Sequence, residues 1–209
     1  MSDTLNSVNS SHACPPMRTR HVRLHTINDR DALFLYDLMT SPAAGGRVRF
    51  AGATPSPEKV ASSLWDSVLA QFIVEGVTAQ RPLGLVSITS PNFRDGYAYL
   101  SAVGTPEAQG SGLIAQGVLL GFNYAFLTWP FRKIYMEVSE TSYEAFRSGL
   151  RNFFTEEGHL REHSFWDGRY VDVFILAVYR ATWAERGPRL VERLCVEDES
   201  PEPVNARQN

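Results

Sequence analysis

The densest chemistry in the chain lies in Leu100-Ser101-Ala102-Val103-Gly104-Thr105-Pro106-Glu107-Ala108-Gln109-Gly110-Ser111-Gly112-Leu113. It reads as a strand, a proline-containing loop with two glycines, and the start of a helix. Such a turn leaves successive backbone N–H groups unpaired at the positive end of a helix dipole. That arrangement suits a phosphate or pyrophosphate, and glycines let the backbone approach it closely. The alternative use of the same glycines is tight helix–sheet packing. The run is not a P-loop, because no Lys follows the final Gly. It is not a dinucleotide fingerprint either, because position 115 is Ala rather than Gly. A second run, His159-Leu160-Arg161-Glu162-His163, matches H-x-x-E-H. Zinc chemistry needs that motif on a helix, with both histidines on one face. Gly158 before it and Asp167-Gly168 after it predict a strand, so no metal is expected.

These residues need elements to position them. Alternation over His21–Thr26 predicts a strand, and Asn28 caps a helix over Asp29–Met39. Pro42–Thr54 reads as a loop. Ser56-Pro57-Glu58 starts a helix running to about Asp66. Leu69–Glu75, Pro82–Ser90 and Tyr97–Val103 form a meander, with turns at Gly76–Arg81 and Asp95-Gly96. A helix from Ser111 to about Leu127 is apolar nearly all round, so it should be buried on most sides. Lys133–Val138 reads as a strand, Ser142–Glu156 as largely helix, and His159–Trp166 with Arg169–Val178 as a hairpin about Asp167-Gly168. Tyr179–Glu185 is the last helix. The order βααβββαβαββα is an α/β (α+β) mixture with an antiparallel front half and one strand–helix–strand crossover.

The domain so framed spans 18–186. Residues 1–17 read as a mobile leader and 187–209 as a largely disordered tail, in which 190–196 could add a short helical turn. The 209 residues carry 20 basic and 23 acidic side chains, a formal charge of −3. No sequence-wide attraction to nucleic acid or anionic membrane follows from that balance. The longest nearly apolar stretch, 117–129, falls short of the roughly 20 residues a spanning helix needs. Cys14 and Cys195 both fall in the tails, as isolated thiols of a soluble cytoplasmic protein.

Gln109-Gly110-Ser111-Gly112-Leu113 at a strand-to-helix turn resembles the acyl-CoA signature Q/R-x-x-G-x-G/A of the GNAT superfamily of N-acetyltransferases. The order of elements over about residues 20–183 is similar to that fold. The C-terminal portion resembles the branch that acetylates N-terminal amines of ribosomal proteins: Glu156-Glu157-Gly158-His159-Leu160-Arg161, then Asp167-Gly168-Arg169-Tyr170-Val171-Asp172, then Trp183. The resemblance implies a mixed, mostly antiparallel sheet of about six or seven strands flanked by helices. It implies acetyl-CoA as co-substrate in a cleft between the fourth and fifth strands, without a metal. Backbone groups of Ala102, Val103 and Gly104 would pair with the pantetheine arm. The N–H groups of Gly110, Ser111, Gly112, Leu113 and Ile114 would hold the pyrophosphate, with Gln109 helping. Ser142 stands where the family has a pantetheine-contacting Asn, and Arg147 where this branch often has Arg.

The chain departs from the pattern at Ile114, which replaces the last Gly/Ala and would crowd that end of the loop. Gly149 stands for the tyrosine acid and Ala145 for a frequent serine, while Tyr99 sits where relatives carry a strand glutamate. Amine acetylation needs a proton acceptor and a donor to the leaving thiolate. The candidates are Glu137, Tyr99, Ser101 and, lower, Tyr143. Positioning two substrates together can supply much of the rate. The expected acceptor is a peptide or protein N-terminus; the alternatives are a small amine such as an antibiotic or polyamine, or a CoA-binding sensor without turnover. The loop 40–56 with the first two helices, and the 165–170 hairpin, are where acceptor selection is expected. Phe165, Trp166, Tyr170 and Phe174 would line an acceptor groove or pack across the hairpin. The protein is expected to be a monomer or homodimer.

Overall fold

The computed structural model describes residues 16–41, 50, 53–146 and 152–195. Strand β1 (Val22–Thr26) leads through a short 3-10 turn into helix α1 (Ala32–Thr40), and helix α2 (Pro57–Ser63) follows. Asn28 accepts from the Arg30 N–H, while the Asn28 N–H donates to Asp31. Ser56 accepts from the Lys59 N–H ahead of Pro57. The 3-10 turn that leads into α1 and the start of α2 therefore have the side-chain caps expected from their sequences, whereas Asp31, at the start of α1 itself, makes no side-chain cap.

Strands β2 (Val68–Gly76), β3 (Pro82–Asn92) and β4 (Tyr97–Gly104) form the meander. Helix α3 (Leu113–Thr128) crosses to β5 (Lys133–Ser139). The short helix α4 (Glu140–Tyr143) precedes the hairpin of β6 (Phe154–Trp166) and β7 (Arg169–Tyr179), and α5 (Arg180–Cys195) follows it. The seven strands are ordered β1-β2-β3-β4-β5-β7-β6. Every neighbouring pair is antiparallel except β4 with β5.

Two cores sandwich this sheet. Val74, Val86 and Leu100 face α3 and α5, whereas Ile73, Leu85 and Val103 face α1 and α2. Helix α3 lies close on its side because Gly117 and Gly121 meet the sheet. A Cβ on Gly117 would come within 2.7 Å of Val74, and one on Gly121 within 2.8 Å of Val86. Arg180 closes the end of α3 by donating to the carbonyls of Phe126, Trp129 and Phe131. No helix of the described residues is long and apolar enough to cross a membrane.

Two expectations are corrected. The helix expected over 142–156 does not reach its predicted end: α4 passes into a 3-10 turn at Glu144–Phe146, residues 147–151 lie outside the described residues, and Phe154–Glu156 already belong to β6, paired with Val178–Leu176. The Phe154 ring, set against Phe122 and Phe146, holds that strand start on the core. The last helix does not stop at Glu185. Trp183, Gly187 and Val191 recur at helical spacing and are all buried, so α5 continues through Pro188 to Cys195, against the usual interior proline penalty. Gly187 admits the Trp183 indole, which would lie 2.4 Å from a Cβ there. Cys195 is therefore packed at a helix end, its Sγ–H on the Arg18 carbonyl, and burial raises its pKa. Cys14 lies outside the described residues.

Candidate active site

The parallel pair β4–β5 is joined over three positions: Tyr97 to Lys133, Ala98 to Ile134, and Tyr99 to Tyr135. Beyond Tyr99 the strands part. β4 continues to Gly104 paired with β3 alone, and β5 continues to Ser139 paired with β7 alone. The facing edges of Leu100–Gly104 and Met136–Ser139 thus present sheet hydrogen-bonding groups with no strand between them. This wedge can take an extended polar chain as if it were an added strand.

One end of the wedge runs into the glycine loop. Gly110 and Gly112 hold φ of +71° and +76°, and a Cβ on either would meet nothing within 4 Å. The loop therefore needs glycine for its backbone conformation, while the space outside it is open. Ser111 Oγ donates to the Ala108 carbonyl and accepts from the Leu113 N–H. The Ser111 N–H is also directed at Ala108. Among the described residues, the N–H groups of Gly110, Gly112 and Ile114 are left without a partner. Two of the five donors expected to hold a phosphate are thus engaged internally. Ile114 does not crowd the loop. Its side chain turns onto Gly84 and Gly104, where a Cβ would come within 2.8 Å and 2.7 Å of it. Paired glycines on β3 and β4 make room for the larger residue on the sheet side. Gln109 is exposed at the loop.

At the wedge apex, Tyr97, Tyr99 and Ser101 of β4 share a sheet face with Lys133, Tyr135 and Glu137 of β5, the face that α1 and α2 cover further along. Tyr99 and Tyr135 rings lie 5.3 Å apart. Burial first, then the Glu137 charge, raises the Tyr99 pKa, so its phenol stays a hydrogen-bond donor at neutral pH. Ser101 and Glu137 are exposed just past the last paired position. Beside them Lys133, itself buried, pairs with Glu157 at 2.6 Å. Glu157 also accepts from Tyr135 at 2.8 Å and from Tyr179. Burial would raise the Glu157 pKa, but the donors Lys133, Tyr179 and Tyr135 hold it down to about 2.

No family model matches the chain. Over 122 residues it is 31% identical to the spermidine N(1)-acetyltransferase of Vibrio cholerae serotype O1, a match covering 58% of this chain and 69% of that relative. The chain belongs to the GNAT-type N-acetyltransferases. The acetyltransferase also shares its fold with solved structures. The V. cholerae spermidine N-acetyltransferase in complex with CoA and spermine superposes with a TM-score of 0.67 at 22% identity, over 78% of this chain and 98% of that one. A chimera of that enzyme superposes at 0.66 and 24% identity, over 79% and 99%. The acyl donor of this acetyltransferase is acetyl-CoA.

Not every predicted side chain of the acetyltransferase meets at the wedge. Tyr143 donates to Glu156 at 2.5 Å and packs on Phe174 at 4.0 Å; with Val138 on the α3 side of the sheet, this sets its hydroxyl against β6. Ser142 is half-buried on α4. Arg147, Gly149, the Ala145 side chain and residues 42–49 and 51–52 of the expected acceptor loop lie outside the described residues. Phe165 and Tyr170 pack edge to face across the hairpin at 5.2 Å, and Phe174 stacks on His159 at 4.4 Å. Those aromatics are cross-strand neighbours. His159 bonds Asp172 from within β6, so the H-x-x-E-H residues share no helical face. Sequence reasoning missed Tyr97, Lys133, Tyr135 and Glu157. The period-2 runs Tyr97-x-Tyr99-x-Ser101 and Lys133-x-Tyr135-x-Glu137 are the signal that could have found the first three.

Proposed function

We propose that this acetyltransferase acetylates a primary amine of a small polyamine. The observation that carries the reading is the wedge apex: it opens beside an exposed carboxylate, Glu137, and tyrosine rings, while the neighbouring ammonium of Lys133 is already matched by Glu157. An uncompensated carboxylate among aromatic rings favours a cationic acceptor. The similarity to a spermidine acetyltransferase supports the same class.

The loop and wedge fit acetyl-CoA. The unpartnered N–H groups of Gly110, Gly112 and Ile114 at the α3 N-terminus would receive its pyrophosphate, and the β4 edge at Ala102–Gly104 its pantetheine arm. When bound, acetyl-CoA supplies the activated acetyl thioester. Glu137 takes, directly or through water, the proton that the acceptor's ammonium must lose before its nitrogen can attack the thioester carbonyl. Ser101 and the neutral Tyr99 phenol orient that water or donate to the leaving thiolate.

The motifs behind the narrower resemblance to the ribosomal-protein branch have structural uses here. Glu157 ties β6 to β5, and Gly158 lies against Ile175. Asp167 and Gly168 adopt the left-handed conformations of a tight hairpin turn. Arg169 pairs with Glu140, and Trp183 packs on Phe122 and Phe126. The test is thiol release from acetyl-CoA with spermidine, spermine, putrescine and an alanine-terminated peptide, the products weighed by mass spectrometry. Acetylated polyamine is expected. Acetylated peptide alone would return the reading to protein N-termini, and no thiol release with any amine would leave a sensor.

A further inference from the structure

Three tyrosines at the wedge apex form a corner rather than a stack. Tyr99 and Tyr135 are tilted 32° to each other at 5.3 Å. Tyr97 stands across both, at 81° and 6.3 Å from Tyr99 and at 73° and 5.7 Å from Tyr135. All three are half-buried, so the corner reaches the surface. The near-perpendicular pairs are edge-to-face contacts, and ring faces carry negative quadrupole density, so the solvent-reaching faces of this half-buried cluster are a surface on which a cation can rest.

The charges around the corner favour the same ligand. Glu137 and Glu157 contribute two carboxylates against the single ammonium of Lys133, which leaves one negative charge in excess. Lys133 itself shows what the surface does with an ammonium: its Nζ sits 4.5 Å from the Tyr135 ring centre and 5.4 Å from that of Tyr179. The flank of Tyr135 toward β4, with Tyr97 and Tyr99, has no such cation among the described residues.

We infer that Tyr97, Tyr99 and Tyr135 hold a second, non-reacting ammonium of the acceptor, so that the enzyme selects diamines and polyamines over monoamines. This rests on the amine-acceptor reading of the wedge. Tyr97 is the wall farthest along β4 from the opening. It therefore acts on affinity and selection, while Glu137 and Ser101 face the amine that reacts.

The test replaces Tyr97 by Phe, which keeps the ring, and by Leu, which removes it, with the fold checked by thermal unfolding. For Tyr97→Leu the KM for spermidine rises roughly 3- to 30-fold, the range expected for one lost cation–π contact, and kcat falls far less. The KM for propylamine moves less than that for spermidine, and Tyr97→Phe rescues. Calorimetry with permethylated spermidine, which keeps its charges but cannot be acetylated, separates the two proposals. It binds the wild type and Tyr97→Phe, and binds Tyr97→Leu more weakly by a similar factor. If the permethylated probe shows this pattern while spermidine is not turned over, the acceptor reading fails and the corner stands. If spermidine is acetylated but Tyr97→Leu leaves its KM and the probe's affinity unchanged, the corner is refuted and the acceptor reading stands. Loss of affinity in Tyr97→Phe equal to that in Tyr97→Leu, or no probe binding to the wild type, also overturns it.

Discussion

Replacing Glu157 by Gln keeps the side chain's shape and removes its charge. In the native protein that carboxylate takes hydrogen bonds from Lys133, Tyr135 and Tyr179, and Lys133 is only 7% exposed. A carboxyl held at about 2 rather than at 4.5 binds its ionised form more strongly by roughly 3 kcal/mol, at about 1.4 kcal/mol per pH unit. The Glu157 side chain keeps 23% of its exposure, and its backbone lies on an edge strand, so water screens part of this. About 2 kcal/mol is a fair expectation. For a domain of this size that lowers Tm by roughly 4–8 °C. The pH dependence follows from the sign. The folded pKa lies below the unfolded one, so the stabilisation is full above about 4.5 and is lost as pH falls toward 2. Thermal and urea unfolding by circular dichroism, at pH 7 down to pH 3, should show wild type and Glu157→Gln converging as acid is added. Adding Lys133→Met to Glu157→Gln should recover stability, because the orphaned buried ammonium is gone. A gap of the same size at pH 3, or no gap at pH 7, would refute the reasoning.

Gly112→Asp should abolish acetyl-CoA binding without unfolding the protein, because Asp tolerates positive φ better than most residues and its carboxylate would project into the open space beside the N–H groups. Gly112→Asn should bind better than Gly112→Asp by calorimetry; equal affinity for wild type and Gly112→Asp would remove the phosphate-loop assignment. Glu137→Gln should slow turnover at neutral pH by roughly 10²–10⁴-fold with the KM for acetyl-CoA nearly unchanged, and an unaltered rate would leave proton removal to ordered water near Tyr99 and Ser101. Acetyl-CoA or free CoA at about 100 times Kd should add ~2.7 kcal/mol of stability, raising Tm by roughly 5–10 °C. A shift with ATP and none with CoA would assign the loop to another phosphate ligand.

Features set by a few neighbouring residues were legible in the chain itself. The Asn28 and Ser56-Pro57 helix starts, the Asp167-Gly168 turn, and the glycine loop at 110–112 all follow from local dihedral and capping chemistry. Strand periodicity gave the meander and the crossover, and with them the α/β class, while the seven-stranded fold followed from the family resemblance. What depended on partners distant in sequence was not legible. Ile114 looks obstructive next to Gly112, yet Gly84, thirty residues earlier, takes its side chain. Gly187-Pro188 reads as a helix stop, yet burial of Trp183 and Val191 on one face carries the helix through it. Tyr143 reads as a donor near the cofactor until Glu156, on a strand the sequence assigned to helix, takes its hydroxyl. The parting of β4 from β5 after Tyr99 is likewise tertiary. Each strand's alternation is complete on its own, and only the neighbours β3 and β7, holding their partners to opposite sides, decide that no hydrogen bonds join the two beyond that residue.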